Sequence, residues 1–326
     1  MGWVAGQSHH GYLSVTVLPA AAARADVTAQ KSLKMQYKHA FHAGNFADVH
    51  KHITLLQLIR ALQKKAKGFL YLDTHSGEGL YDLASADAHQ SNESNAGIAR
   101  LEQAVAAAPG TAHPAIADYL ADIDRIRRSH GNKRSLYPGS PLLATMKLRA
   151  VDQAICVEAH AQTSRALQRS LEHCVSNTNL FAHMPRVVQG NGYQEIRAQL
   201  PPTLRRGLTL IDPPYEAADE EHQIATALHE GLTRFETGLF AVWYPIKKQH
   251  DTDLWLARII RGITRPAVAI ELCVSPPDHT AGLNGSGMLV VNPPWQFDTD
   301  AAAWQNQLHT LLGGSAGSLV KWLIHE

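Results

Sequence analysis

Leu208-Thr209-Leu210-Ile211-Asp212-Pro213-Pro214-Tyr215 decides the fold. A short, continuous apolar run reads as a strand buried on both faces, the signature of a parallel sheet covered by helices. The two prolines then remove two backbone donors and hold the chain extended, so that carbonyls project into the crevice at the carboxyl end of the strand. A carboxylate, a free carbonyl and an aromatic ring converge there. A flat base bearing an exocyclic amine needs that combination: two acceptors and a face to stack on. An ordinary strand-ending turn would use the same residues, since Asp-Pro-Pro is good turn chemistry, so the tetrapeptide gains meaning from its neighbours.

Working outward, further apolar runs predict strands at 69–73, 154–158, 186–189, 238–243, 267–272 and 287–291, seven in all with 208–212. Helical patterns fall between most of them, at 160–173, 219–234 and 251–262, and an amphipathic helix at 46–66 precedes the first. The alternation predicts an α/β fold, a mostly parallel seven-stranded sheet with helices on both faces. The interval after the first strand is too long for one crossover. Residues 96–108 and 114–129 read as helices and no strand is evident, so about 82–136 is expected to be a helical insertion.

The first strand leads into Asp73-Thr74-His75-Ser76-Gly77-Glu78-Gly79, a turn whose glycines allow close backbone approach to a ligand. The chain lacks a G-x-G-x-x-G fingerprint and a phosphate-loop lysine here, which argues against NAD and ATP. Glu158 ends the next strand, where a carboxylate can accept from ribose hydroxyls. Glycine turn, ribose carboxylate and amine clamp, in that order, resemble the S-adenosylmethionine-dependent methyltransferases.

Composition sets the bounds. The chain has 326 residues, 45% hydrophobic and 18% charged, enough for a full core, and a net charge of +1, so any RNA-binding surface must be local. Three scattered cysteines build neither a disulfide framework nor a zinc site, and fit a reducing cytoplasm. No apolar run is long enough to span a bilayer. The stretch Leu13–Leu18 has no Lys or Arg before it and is stopped by Pro19, which argues against an export signal. Residues 1–34 are expected to be a poorly ordered extension, with Met35 a candidate start and 35–326 the folded domain.

Four histidines fall between Tyr37 and His52. His50 and His52, two apart on a helix, point about 200° apart and cannot share a metal. No metal is expected, and the block reads instead as a lid or substrate surface.

The block Y-K-H-A-F-H-A-G-N-F-A-D-V-H-K-H (Tyr37–His52), with L-D-T-H-S-G-E-G, Tyr137-Pro138-Gly139-Ser140-Pro141, D-P-P-Y-E and Asn284–Trp295, is similar in order to the RlmJ family, bacterial 23S ribosomal RNA adenine-N6 methyltransferases. The resemblance runs from Met35 nearly to the C-terminus and leaves residues 1–34 without a counterpart. It implies a Rossmann-like class I fold, S-adenosylmethionine as methyl donor and 23S rRNA as partner. It implies that His52, His75, Ser76, Gly77, Ser140, Glu158, Asn191, Gly192 and Asp212 line the cofactor site; Asn191 stands where the family usually carries Asp. Asp212, Pro213 and Tyr215 would be catalytic, with Tyr37, His39, Lys51 and Tyr215 facing substrate. Cations expected to meet RNA phosphates are Lys38, Lys51, Arg125, Arg127, Arg128, Lys133 and Arg134. Enzymes that methylate DNA adenine or the N2 of guanine also use D-P-P-Y, and a non-catalytic RNA-binding or ribosome-assembly protein on the same scaffold is the alternative from another class. A monomer on protein-free or early precursor RNA is the expected state.

Overall fold

A computed structural model describes residues 1–4, 7, 41–176, 180–276, 278–279 and 282–325. By its internal contacts the chain separates into residues 1–37 and 38–326, and every element named below belongs to the second unit. The extension expected at 1–34 lies almost wholly outside the described residues, as do Tyr37, Lys38 and His39.

The elements run α1 (Phe46–Gln63), β1 (Leu70–Asp73), β2 (Leu80–Asp82), α2 (Ala86–Ser91), α3 (Glu93–Ala96), α4 (Ile98–Ala107), α5 (Pro114–Ser129), β3 (Leu136–Pro138), α6 (Ser140–Lys147) and β4 (Gln153–Glu158). They continue with α7 (Ala161–Ser176), β5 (Arg186–Gln189), α8 (Gly192–Gln199), β6 (Gly207–Ile211), α9 (Glu220–Arg234), β7 (Leu239–Ile246), α10 (Gln249–Ile259), β8 (Ala267–Cys273), β9 (Gly285–Val291), α11 (Phe297–Leu311) and β10 (Gly317–Ile324).

One sheet of eight strands, in the order β10-β8-β9-β7-β6-β1-β4-β5, carries the domain. Strands β5, β4, β1, β6 and β7 are mutually parallel, and β9 pairs antiparallel between β7 and β8. The expected count of seven is corrected by β10, which adds antiparallel to β8 as an edge strand. Its Ser318-Leu319-Val320-Lys321-Trp322 is only half-buried, so it lacks the continuous apolar run that betrays the inner strands.

Period-two alternation gives each sheet face its own core. Tyr71, Cys156, Leu208 and Leu210 face α1, α5, α6 and α11, while Leu72, Ile155, Val157 and Ile211 face α8, α9 and α10. Helix α1 departs from its expected amphipathic form: it ends at Gln63 and is buried almost without interruption from Phe46 to Ile59. It is sandwiched between the sheet and α5, α6 and α11, so even its polar positions lie inside. Ile53, Leu55, Leu58 and Ile59 are fully buried, each contributing about 1.5–3 kcal/mol of apolar burial.

The insertion carries the two expected helices as α4 and α5, but it is not strandless. β2 and β3 pair antiparallel, Tyr81 opposite Tyr137, and close the insertion at its base as a two-stranded ribbon. Three-residue strands are too short to show a period. Among the described residues no helix is long and apolar enough to cross a membrane.

Candidate active site

Register brings the carboxylates together. Asp73, the last residue of β1, stands opposite Cys156 of β4 and Leu210 of β6, so Glu158 and Asp212 each lie two residues further on at the same sheet edge. By alternation all three belong to the face that α1 covers.

Asp73 is fully buried and was not singled out from the sequence. Its carboxylate accepts from Tyr71 Oη and Ser140 Oγ, both at 2.7 Å, which ties the end of β1 to the first residue of α6. Burial pushes its pKa up to about 6, against the lowering effect of those two hydroxyls. A raised carboxyl pKa means that the folded chain holds its proton more tightly than the unfolded chain. Stability contributed by this group therefore falls as pH rises from below about 4 to above about 6, by about 3 kcal/mol in all. Denaturant titrations of wild type and Asp73→Asn should show their stability difference shrinking by that amount across the window; a constant difference would show an ordinary carboxyl.

Glu158 is nearly buried, and its two oxygens accept one backbone N–H each, from Gly77 at 3.0 Å and His160 at 2.8 Å. Ser76 N–H donates to Val157 O at 2.9 Å. Gly77 has φ +62, and a Cβ there would collide with the Tyr81 hydroxyl. The turn is thus folded onto the carboxylate while one lone pair on each oxygen stays available. His75 bonds the Thr74 hydroxyl at 2.8 Å and sets its ring edge-on to Tyr193, 4.9 Å away; burial lowers its pKa to about 4, so it is neutral at pH 7.

Asn191 caps α8, its Oδ1 accepting from Tyr193 N–H at 2.9 Å and Gln194 N–H at 3.2 Å. A carboxylate could cap identically, so the cap itself does not distinguish Asn from Asp at this position. Gly192 packs the start of α8 directly on Thr74: an added Cβ would meet Thr74 C at 2.8 Å and Thr74 Cβ at 2.9 Å. Gly192→Ala must push α8 off the β1 turn, and is expected to cost about 1–3 kcal/mol and to weaken cofactor binding. Calorimetric melting with and without ligand checks both.

On the substrate side, Asp212 accepts from Lys51 Nζ at 2.6 Å, and the same ammonium donates to Asp48 at 2.8 Å. Lys51 is 4% exposed. Burial opposes its charge, but Asp212 and Asp48 outweigh that and hold its pKa above the usual lysine value. The sequence places Lys51 among the RNA-phosphate contacts; the structure instead seals it in, where it neutralises two carboxylates. Asp48 was missed, although Asp48 and Lys51 at i, i+3 on one helix were a readable pair.

Pro213 is buried, and Tyr215 follows in a left-handed conformation, φ +57. Its hydroxyl donates to Trp243 O, and its ring stands edge-on to Trp243 at 5.6 Å. Trp243 donates to Ser286 Oγ at 3.0 Å, which also bonds His50 Nδ1 at 2.9 Å. His50 thus faces β9, whereas His52 faces the insertion, bonding Tyr137 Oη at 2.9 Å. The two rings do diverge. His52 is 1% exposed and braces the strand that leads to Ser140, rather than lining an open cleft. Of the basic residues of the insertion, Arg127 is also corrected: it is buried, bonded to Leu136 O and paired with Glu102. Arg125, Arg128 and Arg134 are exposed, and Lys133 pairs with Asp82 at 2.6 Å. Among the described residues no cluster of three metal-binding side chains occurs.

Strand order, the reversed β9 and acidic groups at the ends of β4 and β6 define a class I S-adenosylmethionine-dependent methyltransferase. The family model described as "Ribosomal RNA large subunit methyltransferase D, RlmJ" matches residues 66–324, and the chain belongs to that family. It is 38% identical over 298 residues to Ribosomal RNA large subunit methyltransferase J of Haemophilus influenzae, covering 90% of this chain and all of the relative. The Escherichia coli protein of the same name is 35% identical over 294 residues, with the same coverage. Among solved structures, protein LPL1258 from Legionella pneumophila superposes with a TM-score of 0.74 at 32% identity, over 86% of this chain and 98% of that one.

Proposed function

We propose that this enzyme methylates the exocyclic N6 of one adenine in 23S rRNA, with Asp212 as the acceptor that activates the base. The observation that carries the reading is Asp212 at the end of β6, followed by the Pro213 carbonyl and the Tyr215 ring and held by a buried lysine. Adenine's amino lone pair is delocalised into the ring and is a poor nucleophile. Two acceptors on its N–H groups favour the tetrahedral amine and stabilise the positive charge that develops on nitrogen. Asp212 can then take the released proton. Tyr215, pinned through its hydroxyl, offers its ring to the base once it has left its stack.

The residues present fit the cofactor. The free lone pairs of Glu158, the side-chain-free Gly77 and the close Gly192–Thr74 packing form an acidic cradle at the strand ends, suited to a ribose and a purine. S-adenosylmethionine, when bound, supplies an electrophilic methyl group on a sulfonium. His75, Ser76 and Ser140 shape the cradle, with Ser140 locked through Asp73. The protein is read as a cytoplasmic monomer acting on protein-free or early precursor RNA, with 35–326 as the catalytic domain and 1–34 as an extension to it.

The test is incubation with S-adenosylmethionine and unmodified 23S rRNA, followed by digestion and mass spectrometry of the nucleosides. New N6-methyladenosine is expected. N2-methylguanosine would overturn the target atom, and failure to bind the cofactor would favour the non-catalytic RNA-binding reading.

A further inference from the structure

The catalytic groups occupy the carboxyl ends of the parallel strands; the opposite edge has a chemistry of its own. The turn from α1 to β1 carries Lys64, Lys65 and Lys67, all exposed. Beside it, the turn into β6 carries exposed Arg205, in the left-handed region at φ +50, and Arg206. Arg206 donates to Leu62 O and Lys67 O, and Arg149, from the turn into β4, donates to Lys65 O at 3.0 Å. Two guanidiniums thus hold the backbone of the turn whose lysines are exposed. The turn into β8 adds exposed Arg261.

Asp152 and Glu236 are the carboxylates of these described turns, and each is already paired, with Arg149 and Arg265 respectively. Among the described residues Lys64, Lys65, Lys67, Arg205 and Arg261 make no ion pair. The chain's +1 total conceals this face, because the rest of the molecule must be acidic by nearly as much. Lysines at the end of α1 would suit its helix dipole, but that does not account for Arg205 or Arg261.

The same edge presents Asn292-Pro293-Pro294-Trp295. Because β9 runs against the parallel strands, this sequence leaves the sheet at the edge away from Asp212. Asn292, at φ +56, donates through Nδ2 to Glu236 O at 2.9 Å and Gly238 O at 2.7 Å, and its N–H donates to Pro266 O at 2.8 Å. Phe297 is buried on the far side, yet Trp295 between them is 76% exposed. A rigid loop therefore holds an indole in solvent on an edge rich in unpaired cations. Clustered cations with an exposed aromatic are what single-stranded and structured RNA require: charge for phosphates, a ring for an unpaired base.

We propose that this edge of the sheet is a second RNA-binding face, on which the Lys64–Lys67 turn, Arg205 and Arg261 hold the phosphate backbone of rRNA remote from the methylated adenine and Trp295 stacks on an unpaired base. It rests on the reading of the substrate as rRNA. With strands of four to eight residues at about 3.3 Å each, the two edges lie roughly 15–25 Å apart, so only an RNA longer than the target's immediate surroundings reaches both.

The experiment measures binding and methylation of two RNAs: a full 23S transcript, and the shortest fragment of it that wild type still methylates. In the Lys64→Glu, Lys65→Glu, Lys67→Glu, Arg205→Glu variant, affinity for the full transcript should fall at least tenfold. Its log affinity against log salt slope should lessen by about two to three, while binding and kcat on the short fragment stay within twofold of wild type. Trp295→Ala should weaken full-transcript binding about threefold to tenfold and Trp295→Phe should restore it. Unchanged affinity and slope on the full transcript overturn the proposal, as does equal weakening on both RNAs, which would mark lost fold or a face inseparable from the catalytic one. If wild type methylates neither the full transcript nor any fragment of it, the substrate reading fails instead. The full-transcript binding comparison then still decides whether this edge holds RNA.

Discussion

Replacing Asp212 with alanine should lower kcat for N6 methylation by a factor of about 10²–10³, the loss usual for removing a preorganised group from a developing charge, while S-adenosylmethionine binding changes only a few-fold. The separation is expected because the cradle is built on β1, β4 and α8, whereas Asp212 is the first residue past β6 and bonds only Lys51 among the hydrogen bonds above. The fold should survive, since Lys51 keeps Asp48 at 2.8 Å. Asp212→Asn retains an acceptor oxygen but not the charge, and should fall between the two. Single-turnover rates alongside calorimetric cofactor titration make the comparison; near-normal turnover in the alanine variant would sink the assignment.

Lys51→Met should be the most damaging single change for stability near the site. It removes the one ammonium shared by two carboxylates, Asp48 with a side chain 3% exposed and Asp212 with one 12% exposed. Breaking a buried pair by removing one partner costs about 3–5 kcal/mol, more than the pair itself contributes. Turnover should drop at least tenfold, because Asp212 loses the ammonium that fixes its position. Adding Asp48→Asn to Lys51→Met removes one of these buried charges, and should restore part of the stability but little of the activity. Urea midpoints for the two variants, set beside their rates, separate positioning from folding. Equal recovery of both would show that Lys51 acts on the fold alone.

Much of this was readable because the informative signals are local. Leu208–Tyr215 announces its own strand, turn and clamp, and Glu158 is the last residue of an apolar run. The opposed directions of His50 and His52 follow from helix geometry alone. What escaped was decided by neighbours remote in sequence. β10 is half-exposed because it closes the sheet edge; β2 and β3 are each too short to show alternation. Lys51 reads as a surface cation until α1 is known to be packed on every side, and Asp73 reads as a turn residue until Tyr71 and Ser140 are seen to close over it. Arg127 reads as a surface cation because its partner Glu102 lies on another helix of the insertion.

The ribbon of β2 and β3 has a mechanical meaning. One foot of the insertion begins at Leu80, directly after the glycine turn that holds Glu158; the other ends at Pro138, two residues before Ser140. Gly139 N–H donates to Gly79 O at 2.8 Å, bolting the two feet together. The helical arm α4–α5 therefore has no slack where it joins the body, and both its feet are parts of the cradle proposed for the cofactor. Any load on the arm that favours one cradle shape alters cofactor affinity by some factor. Thermodynamic reciprocity requires the occupied cradle to change the arm's grip on that load by the same factor.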